Sequence, residues 1–175
     1  KTKLFETERL ILRRFELAEA EDMFINYCSS ENVTRYMTWN PHPSVEDTKA
    51  YLTNVVMPKY DEGAYVWAIV LKEINEVIGC IDINHYDTTK KHACFGWVIG
   101  EKFWGKGIMP EAATVIRDYM FSEGFARLWA IHNTGNLKSG RVMQKIGMIH
   151  EGTLHKYAFD NQGELIDVEL YAITK

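Results

Sequence analysis

This chain has little with which to cross-link itself or to enter a bilayer. Only three cysteines stand among its 175 residues, Cys28, Cys80 and Cys94, and none forms a Cys-x-x-Cys spacing. That argues against a disulfide scaffold and for a reducing compartment, so a cytoplasmic protein is expected. No apolar run approaches the ~20 residues of a membrane span, and Lys1-Thr-Lys-Leu4 lacks the apolar core of a secretory leader. Basic residues are not in excess: the formal net charge is −4. A broad nucleic-acid interface wants a basic face, so none is expected. The small acidic excess suits a cationic partner such as an amine, although it equally describes an ordinary solvated surface. The six histidines (His42, His85, His92, His132, His150 and His155) show neither zinc-protease spacing nor paired cysteines, and no metal site is expected. No repeat, low-complexity linker or charge block divides the chain. With 46% hydrophobic and 25% charged residues, residues 1–175 are read as one domain large enough to bury a full core.

What is present is a pattern of strands and helices. Arg9 to Phe15 reads as a first strand and Leu17 to Tyr27 as a helix. Ser44 suits an N-cap, with Glu46 and Asp47 in the following first turn. Val45, Leu52, Val55 and Val56 supply that helix's apolar stripe, and Pro58 is expected to end or kink it. Three strands follow near Tyr65–Leu71, Val77–Tyr86 and His92–Ile99, separated by Asn75-Glu76 and Thr88–Lys91, as in an antiparallel meander. A long helix spans about Ile108 to Ser122, with Ala112, Val115, Ile116, Tyr119 and Met120 at core spacing. Strand Arg127–Ile131, helix Leu137–Lys145 and a hairpin around Asn161-Gln-Gly163 complete the chain. The sum is a mixed α/β (α+β) sheet.

The segment from Cys94 through Ala112 carries most of the functional information. An apolar strand runs from Cys94 to Ile99, a tight turn holds Gly105 and Gly107, and a helix opens near Ile108. A side-chain-free turn leading into a helix N-terminus presents free N–H groups to an anion, and the helix dipole favours it. Missing Cβ atoms let the ligand approach the main chain. A phosphate-bearing cofactor is therefore expected. The dinucleotide fingerprint would need a third glycine where Pro110 stands, and the nucleotide-hydrolase loop would need Gly-Lys-Ser/Thr, whereas Gly107 is preceded by Lys106 and followed by Ile108. Pro110 itself suits a first helical turn.

Two blocks narrow the choice. Trp104-Gly-Lys-Gly-Ile-Met-Pro-Glu-Ala112 resembles the acyl-CoA pyrophosphate loop of the GNAT superfamily of N-acetyltransferases. Asn136-Leu-Lys-Ser-Gly-Arg-Val-Met-Gln-Lys-Ile-Gly-Met148 resembles the Asn-x-x-Ser helix of its RimJ/RimL-type branch. Thr7-Glu-Arg-Leu-Ile-Leu-Arg-Arg14 and Asp167-Val-Glu-Leu-Tyr-Ala172 are also typical of that branch, and the four blocks stand in family order over nearly the whole chain. The resemblance implies a twisted, mostly antiparallel sheet of about seven strands flanked by about four helices. It implies acetyl-CoA as co-substrate, with no metal. Backbone groups of Trp97, Val98 and Ile99 would meet the pantetheine arm, in a strand parted from its neighbour. Their side chains read simply as core. Phe103, Trp104, Gly105, Lys106, Gly107 and Ile108 would hold the pyrophosphate. Lys102 stands where many members carry Gln or Arg, and Lys102 and Lys106 read equally as solvated lysines. Asn136 would contact the cofactor, although Asn is also an ordinary N-cap. Arg141 and Lys145, four residues apart, could approach the 3′-phosphate or form a solvated basic face.

By the same resemblance Ser139 lies near the sulfur and assists the departing thiolate; a helix-start Ser bonded to backbone is the plainer reading. The tyrosine that many members use as the acid is replaced by Met143, which cannot donate a proton. A thiol with a pKa near ~8.5 is already a fair leaving group. The general base stays open among Asp82, His85, Glu151 and an ordered water. In a regular strand Asp82 and His85 would face opposite sides. Relatives that carry a Glu after the Asn-x-x-Ser helix are matched here by Ala158, and the position two before Gly96, often acidic in relatives, is Cys94.

The resulting expectation is direct acetyl transfer from acetyl-CoA to a primary amine, most naturally a protein or peptide N-terminus. An α-amine with a pKa near ~8 needs little help from a base. The alternatives are a small amine (polyamine, amino acid or aminoglycoside) and a non-catalytic acyl-CoA-binding module. The aromatic loop Tyr36-Met-Thr-Trp-Asn-Pro-His-Pro43 lines the acceptor side by resemblance, or is a rigid connector. No cysteine sits in a motif with a base, so no covalent enzyme intermediate is expected. The protein is expected to be a monomer or homodimer.

Overall fold

The computed structural model describes residues 1–175. Tyr65-Val-Trp-Ala-Ile-Val-Leu71 is buried at every position, as an unbroken apolar run must be when a strand is covered on both faces. It forms the centre of one half of an eight-stranded sheet. The strands are β1 (Phe5–Glu6), β2 (Leu10–Arg13), β3 (Tyr65–Leu71), β4 (Glu76–Asp87), β5 (His92–Ile99), β6 (Arg127–Asn133), β7 (Ile149–Phe159) and β8 (Leu165–Thr174). Their spatial order is β1-β2-β3-β4-β5-β6-β8-β7. Every neighbouring pair is antiparallel except β5 and β6.

Alternate side chains of β3 feed two cores. Trp67 and Ile69 join a cluster of 25 buried residues that includes Ile116 and Met120 of helix α4 (Ile108–Ser122) and Met143 of α5 (Leu137–Lys145). Val66, Ala68 and Val70 join a cluster of 13 with Met23 and Tyr27 of α1 (residues 17–28) and with Leu52 and Val56 of α3 (residues 45–61). The sheet is thus sandwiched between two pairs of helices, the layering that buries both faces of such strands. A short helix α2 (Glu31–Thr34) joins the α1 side. No helix is long and apolar enough to cross a membrane.

The element pattern departs from the sequence expectation in three places. The first strand is shorter than Arg9–Phe15, with Leu10–Arg13 pairing with β3, and Phe5–Glu6 adds an edge strand before it, giving eight strands rather than about seven. With α2 there are five helices rather than about four. Pro58 does not end α3. The turn before it is a wide π-turn, Leu52–Val56, in which Met57 N–H donates to Leu52 O. The helix is already off the i−4 pattern where proline lacks its donor and crowds the carbonyl behind it. The Asn161-Gln-Gly163 turn is present as expected: Asp160 Oδ1 accepts from Gln162 N and Glu164 N at 2.9 and 3.0 Å, and Gly163 has φ 78°.

Candidate active site

β5 pairs with β4 from end to end, but with β6 only over His92↔Arg127, Ala93↔Leu128 and Cys94↔Trp129. Beyond Cys94 the two parallel strands separate, and a cleft opens between them. Gly100 N–H donates to Ile78 O on β4 at 2.9 Å. Main-chain groups alternate sides along a strand, so those of Val98 also face β4 while those of Trp97 and Ile99 face the gap. One of the latter is already engaged: Ile99 O accepts from Trp104 Nε1 at 3.0 Å. The expectation that Val98 offers free backbone is corrected by this alternation. Only the Trp97 N–H and C=O and the Ile99 N–H remain open to the gap.

After β5 a 3-10 turn, Glu101–Phe103, leads into the glycine loop. Gly105 and Gly107 have φ 73° and 74°, the left-handed region that L side chains rarely adopt, and a Cβ at Gly105 would meet nothing within 4 Å. Gly107 is the N-cap of α4. The loop is pinned from the opposite edge of the sheet. Arg9 Nη1 donates to Lys106 O at 2.9 Å, while Arg9 Nε and backbone N donate to the Glu111 carboxylate at 2.8 and 3.1 Å. Thr7 Oγ1 donates to the same carboxylate at 2.5 Å. Burial works against ionised Glu111, but the bonds from Thr7 and Arg9 outweigh it and hold its pKa below the ordinary range.

A cleft of about 770 Å³ lies over this loop. Every residue expected at the cofactor lines it except Lys106, whose side chain is outside while its carbonyl serves Arg9. Lys102 is outside as well, whereas Arg141 and Lys145 line the cleft and Lys138 Nζ sits 4.0 Å over the Trp104 ring. Asn136 begins α5 but makes no side-chain cap bond, so the plain capping reading of this residue fails. Ser139 is half-buried one turn on, and its hydroxyl makes no hydrogen bond within the protein.

A second cleft, about 600 Å³, occupies the gap on the other side. The two meet at Trp97, Val98, Asn136 and Ser139, together with Tyr36 and Met37. Tyr36, Met37, Thr38, Trp39 and His42 of the aromatic loop line the second cleft. Asn161 Nδ2 fixes that loop by donating to Thr34 O and Trp39 O at 3.0 and 3.3 Å. Met143 is 1% exposed and forms part of the floor.

Of the three side chains considered as base, Glu151 is elsewhere. It forms a two-pronged pair with Arg127, at 3.0 and 2.5 Å, and lines neither cleft. Asp82 and His85 both line the second cleft. Their expected placement on opposite faces is overturned by a β-bulge between Ile83 and His85, which resets the alternation. Asp82 is opposite Gly96 across the sheet, and a Cβ on Gly96 would lie 2.5 Å from Asp82 Oδ1 and 2.8 Å from Asn84 Nδ2. Burial pushes the Asp82 pKa up to about 6 against the opposing charge of Lys59.

All three cysteines line this cleft. Burial pushes Cys28 and Cys94 up to about 12 and Cys80 well above its ordinary value, so none is a thiolate at neutral pH. Asn84, His132 and Tyr27 also line it without having been singled out in the sequence. No motif contains them; Asn84 and His132 come from the sheet and Tyr27 from α1, and only the tertiary fold brings them together.

Residues 9–149 match a family model described as an acetyltransferase (GNAT) domain. An uncharacterised N-acetyltransferase p20 of Bacillus licheniformis is 32% identical over 170 residues, covering 97% of this chain and 94% of the relative. The ribosomal protein uS5-alanine N-acetyltransferase of Escherichia coli is 30% identical, with 96% and 89% covered. The crystal structure of a GNAT-family acetyltransferase from Bacillus anthracis superposes with a TM-score of 0.83 at 30% identity, covering 98% of each chain.

Proposed function

The chain belongs to the GNAT family of N-acetyltransferases, and from that premise we propose that residues 1–175 act as one acetyltransferase domain carrying acetyl from acetyl-CoA directly to a protein or peptide N-terminal amine. The observation that supports this most is the meeting of two clefts under the parted strand β5, with Ser139 and Asn136 at the junction. The pyrophosphate rests on N–H groups from Gly105 to Ile108, where the helix terminus favours negative charge; the Phe103 and Trp104 N–H groups, expected to share that role, are spent on Gly100 O and Glu101 O at 3.0 and 3.1 Å. The pantetheine arm runs along the open main chain of Trp97 and Ile99, and Asn136 bonds an amide of the cofactor. Arg141 and Lys145, on the cleft wall, face the 3′-phosphate.

The amine enters by the second cleft and its nitrogen attacks the thioester carbonyl. A main-chain N–H of β5 polarises that carbonyl. The C–S bond breaks, and the Ser139 hydroxyl assists the thiolate as it leaves. No acyl-enzyme forms, in keeping with three neutral thiols. Those three cysteines are unpaired, which suits a reducing cytoplasm. The N-terminal acceptor is supported by the activity of the uS5-alanine relative. It is supported too by the aromatic Tyr36–Pro43 wall, which offers broad contact to residues beyond the amine.

Ser139→Ala tests the mechanism. Turnover should fall roughly tenfold to a hundredfold, below the ~10²–10⁴ of a full acid–base group because the thiol leaves readily, while acetyl-CoA affinity stays within about twofold. Unchanged turnover would remove Ser139 from the mechanism. The acceptor is tested by comparing peptides with free and blocked N-termini against polyamines, amino acids and aminoglycosides; turnover confined to small amines would overturn the N-terminal reading.

A further inference from the structure

We infer that Asp82 is the proton acceptor for the incoming amine, and that Gly96 is glycine so that this carboxylate can stand in the cleft. The inference rests on the acetyl-transfer reading and deepens it. Asp82 is the only carboxylate among the residues lining the second cleft, whose walls are otherwise largely apolar and aromatic. A cationic amine entering there finds one carboxylate to receive it, with Lys59 the other charged residue of the lining. That carboxylate makes no hydrogen bond or ion pair within the protein, so its oxygens are free for an N–H donor. The room is built in: any side chain at position 96 would place a carbon 2.5 Å from Oδ1.

The groups around Asp82 leave it ionisable at neutral pH yet basic enough to work. Lys59 and Tyr51 face it from α3, Cys80 lies two residues back on β4, Cys94 faces it from β5, and His85 shares the cleft. Of these only Lys59 brings a full charge into its titration, and burial outweighs that, leaving the carboxyl at about 6. A base near 6 is ionised at pH 7 and binds a proton far better than an ordinary carboxylate near ~3.9. His85 and Glu151 lack this combination: His85 is an exposed residue of the cleft lining, and Glu151 is committed to Arg127.

The ammonium gives one proton to the Asp82 carboxylate and becomes a nucleophile. Its lone pair forms the N–C bond and the C–S bond breaks. The second amine proton leaves as the amide forms and ends on the thiolate, by way of the Ser139 hydroxyl. Asp82 returns its proton to water, so one proton is released per acetyl group transferred.

The test is the pH profile of kcat/KM for wild type, Asp82→Asn and His85→Ala, with acetyl-CoA affinity measured on the same samples. In wild type the rate falls about tenfold per pH unit below 6. In Asp82→Asn it is reduced ~10²-fold or more at pH 7. That deficit narrows as pH rises past the amine's own value near ~8, where the amine is already neutral. Acetyl-CoA affinity is unchanged, and His85→Ala keeps the wild-type limb. A deficit equal at every pH would mark a merely structural residue and overturn the inference, as would an unchanged acidic limb in Asp82→Asn. A carboxyl-selective NMR titration reads the same group without turnover: a midpoint near 6 supports the assignment, and one in the ordinary carboxylate range overturns it. Failure of the acetyl-transfer reading would look different, as absence of acetyl-CoA binding in wild type.

Discussion

Two glycines eleven residues apart have opposite proposed jobs, and each can be tested alone. Gly107 holds φ 74° at the mouth of α4, with only the Arg9 guanidinium near, at 3.6 Å from where a Cβ would be. Gly96 lies in a regular strand, and what a Cβ would strike there is the movable end of Asp82 rather than backbone. Gly107→Val should therefore abolish acetyl-CoA binding, since a β-branched residue at positive φ strains the loop proposed to cradle the phosphates. Gly96→Ala should fold and bind acetyl-CoA nearly as wild type, yet lose turnover ~10²-fold because the carboxylate is pushed about an ångström aside. Calorimetric binding and initial rates on the two variants separate the roles. Gly105, Gly107, Asn136 and Ser139 were legible in the sequence because a local motif needs them at fixed spacing. Asp82 was not separable from His85 and Glu151, because the choice depends on a bulge, on a cross-strand glycine and on an arginine 24 residues away from Glu151.

Among the elements, the loop-bearing helix is held by a clamp from the far end of the chain. Thr7 and Arg9 reach across to Glu111 in the first turn of α4, where a carboxylate also complements the helix dipole. The Glu111 pKa is depressed in the fold. Its contribution to stability is therefore present above the unfolded value near ~4.3 and is lost as pH falls through the lower folded value. Glu111→Gln should cost about 1 kcal/mol near pH 7, discounted because the Arg9 partner is 40% exposed. That is about 2–4 °C in Tm for a chain of this size. The gap between variant and wild type should close on acidification, which thermal melts at pH 7 and pH 3 would show. The long elements were legible because their periodicity is strong; α4 runs Ile108–Ser122 as its apolar spacing predicts. The π-turns Phe24–Cys28 and Leu52–Val56 were not. A π-turn leaves no mark in residue type, yet these two shape the wall that carries Tyr27, Cys28 and Val56 into the second cleft. The edge strand Phe5–Glu6 is two residues long and has no period to detect.

At the scale of the molecule, the proposed site comes from one departure from a regular sheet. Seven neighbouring strand contacts join eight strands, and the single parallel one fails after three residue pairs. A polar backbone left unpaired inside a fold is costly unless something bonds to it, so an open β5 main chain beside a glycine loop is a seat for an extended, amide-bearing ligand. The sequence announced that seat through the family resemblance alone, since composition and period cannot say where two strands part. The most direct check of the whole account is to incubate the purified protein with acetyl-CoA and a peptide bearing a free N-terminus, following CoA release while locating the new acetyl group by mass spectrometry. Stoichiometric CoA release with acetyl on the α-amine is expected, and none on the same peptide with that amine blocked. CoA release absent with every peptide and every small amine, despite tight acetyl-CoA binding, would contradict it.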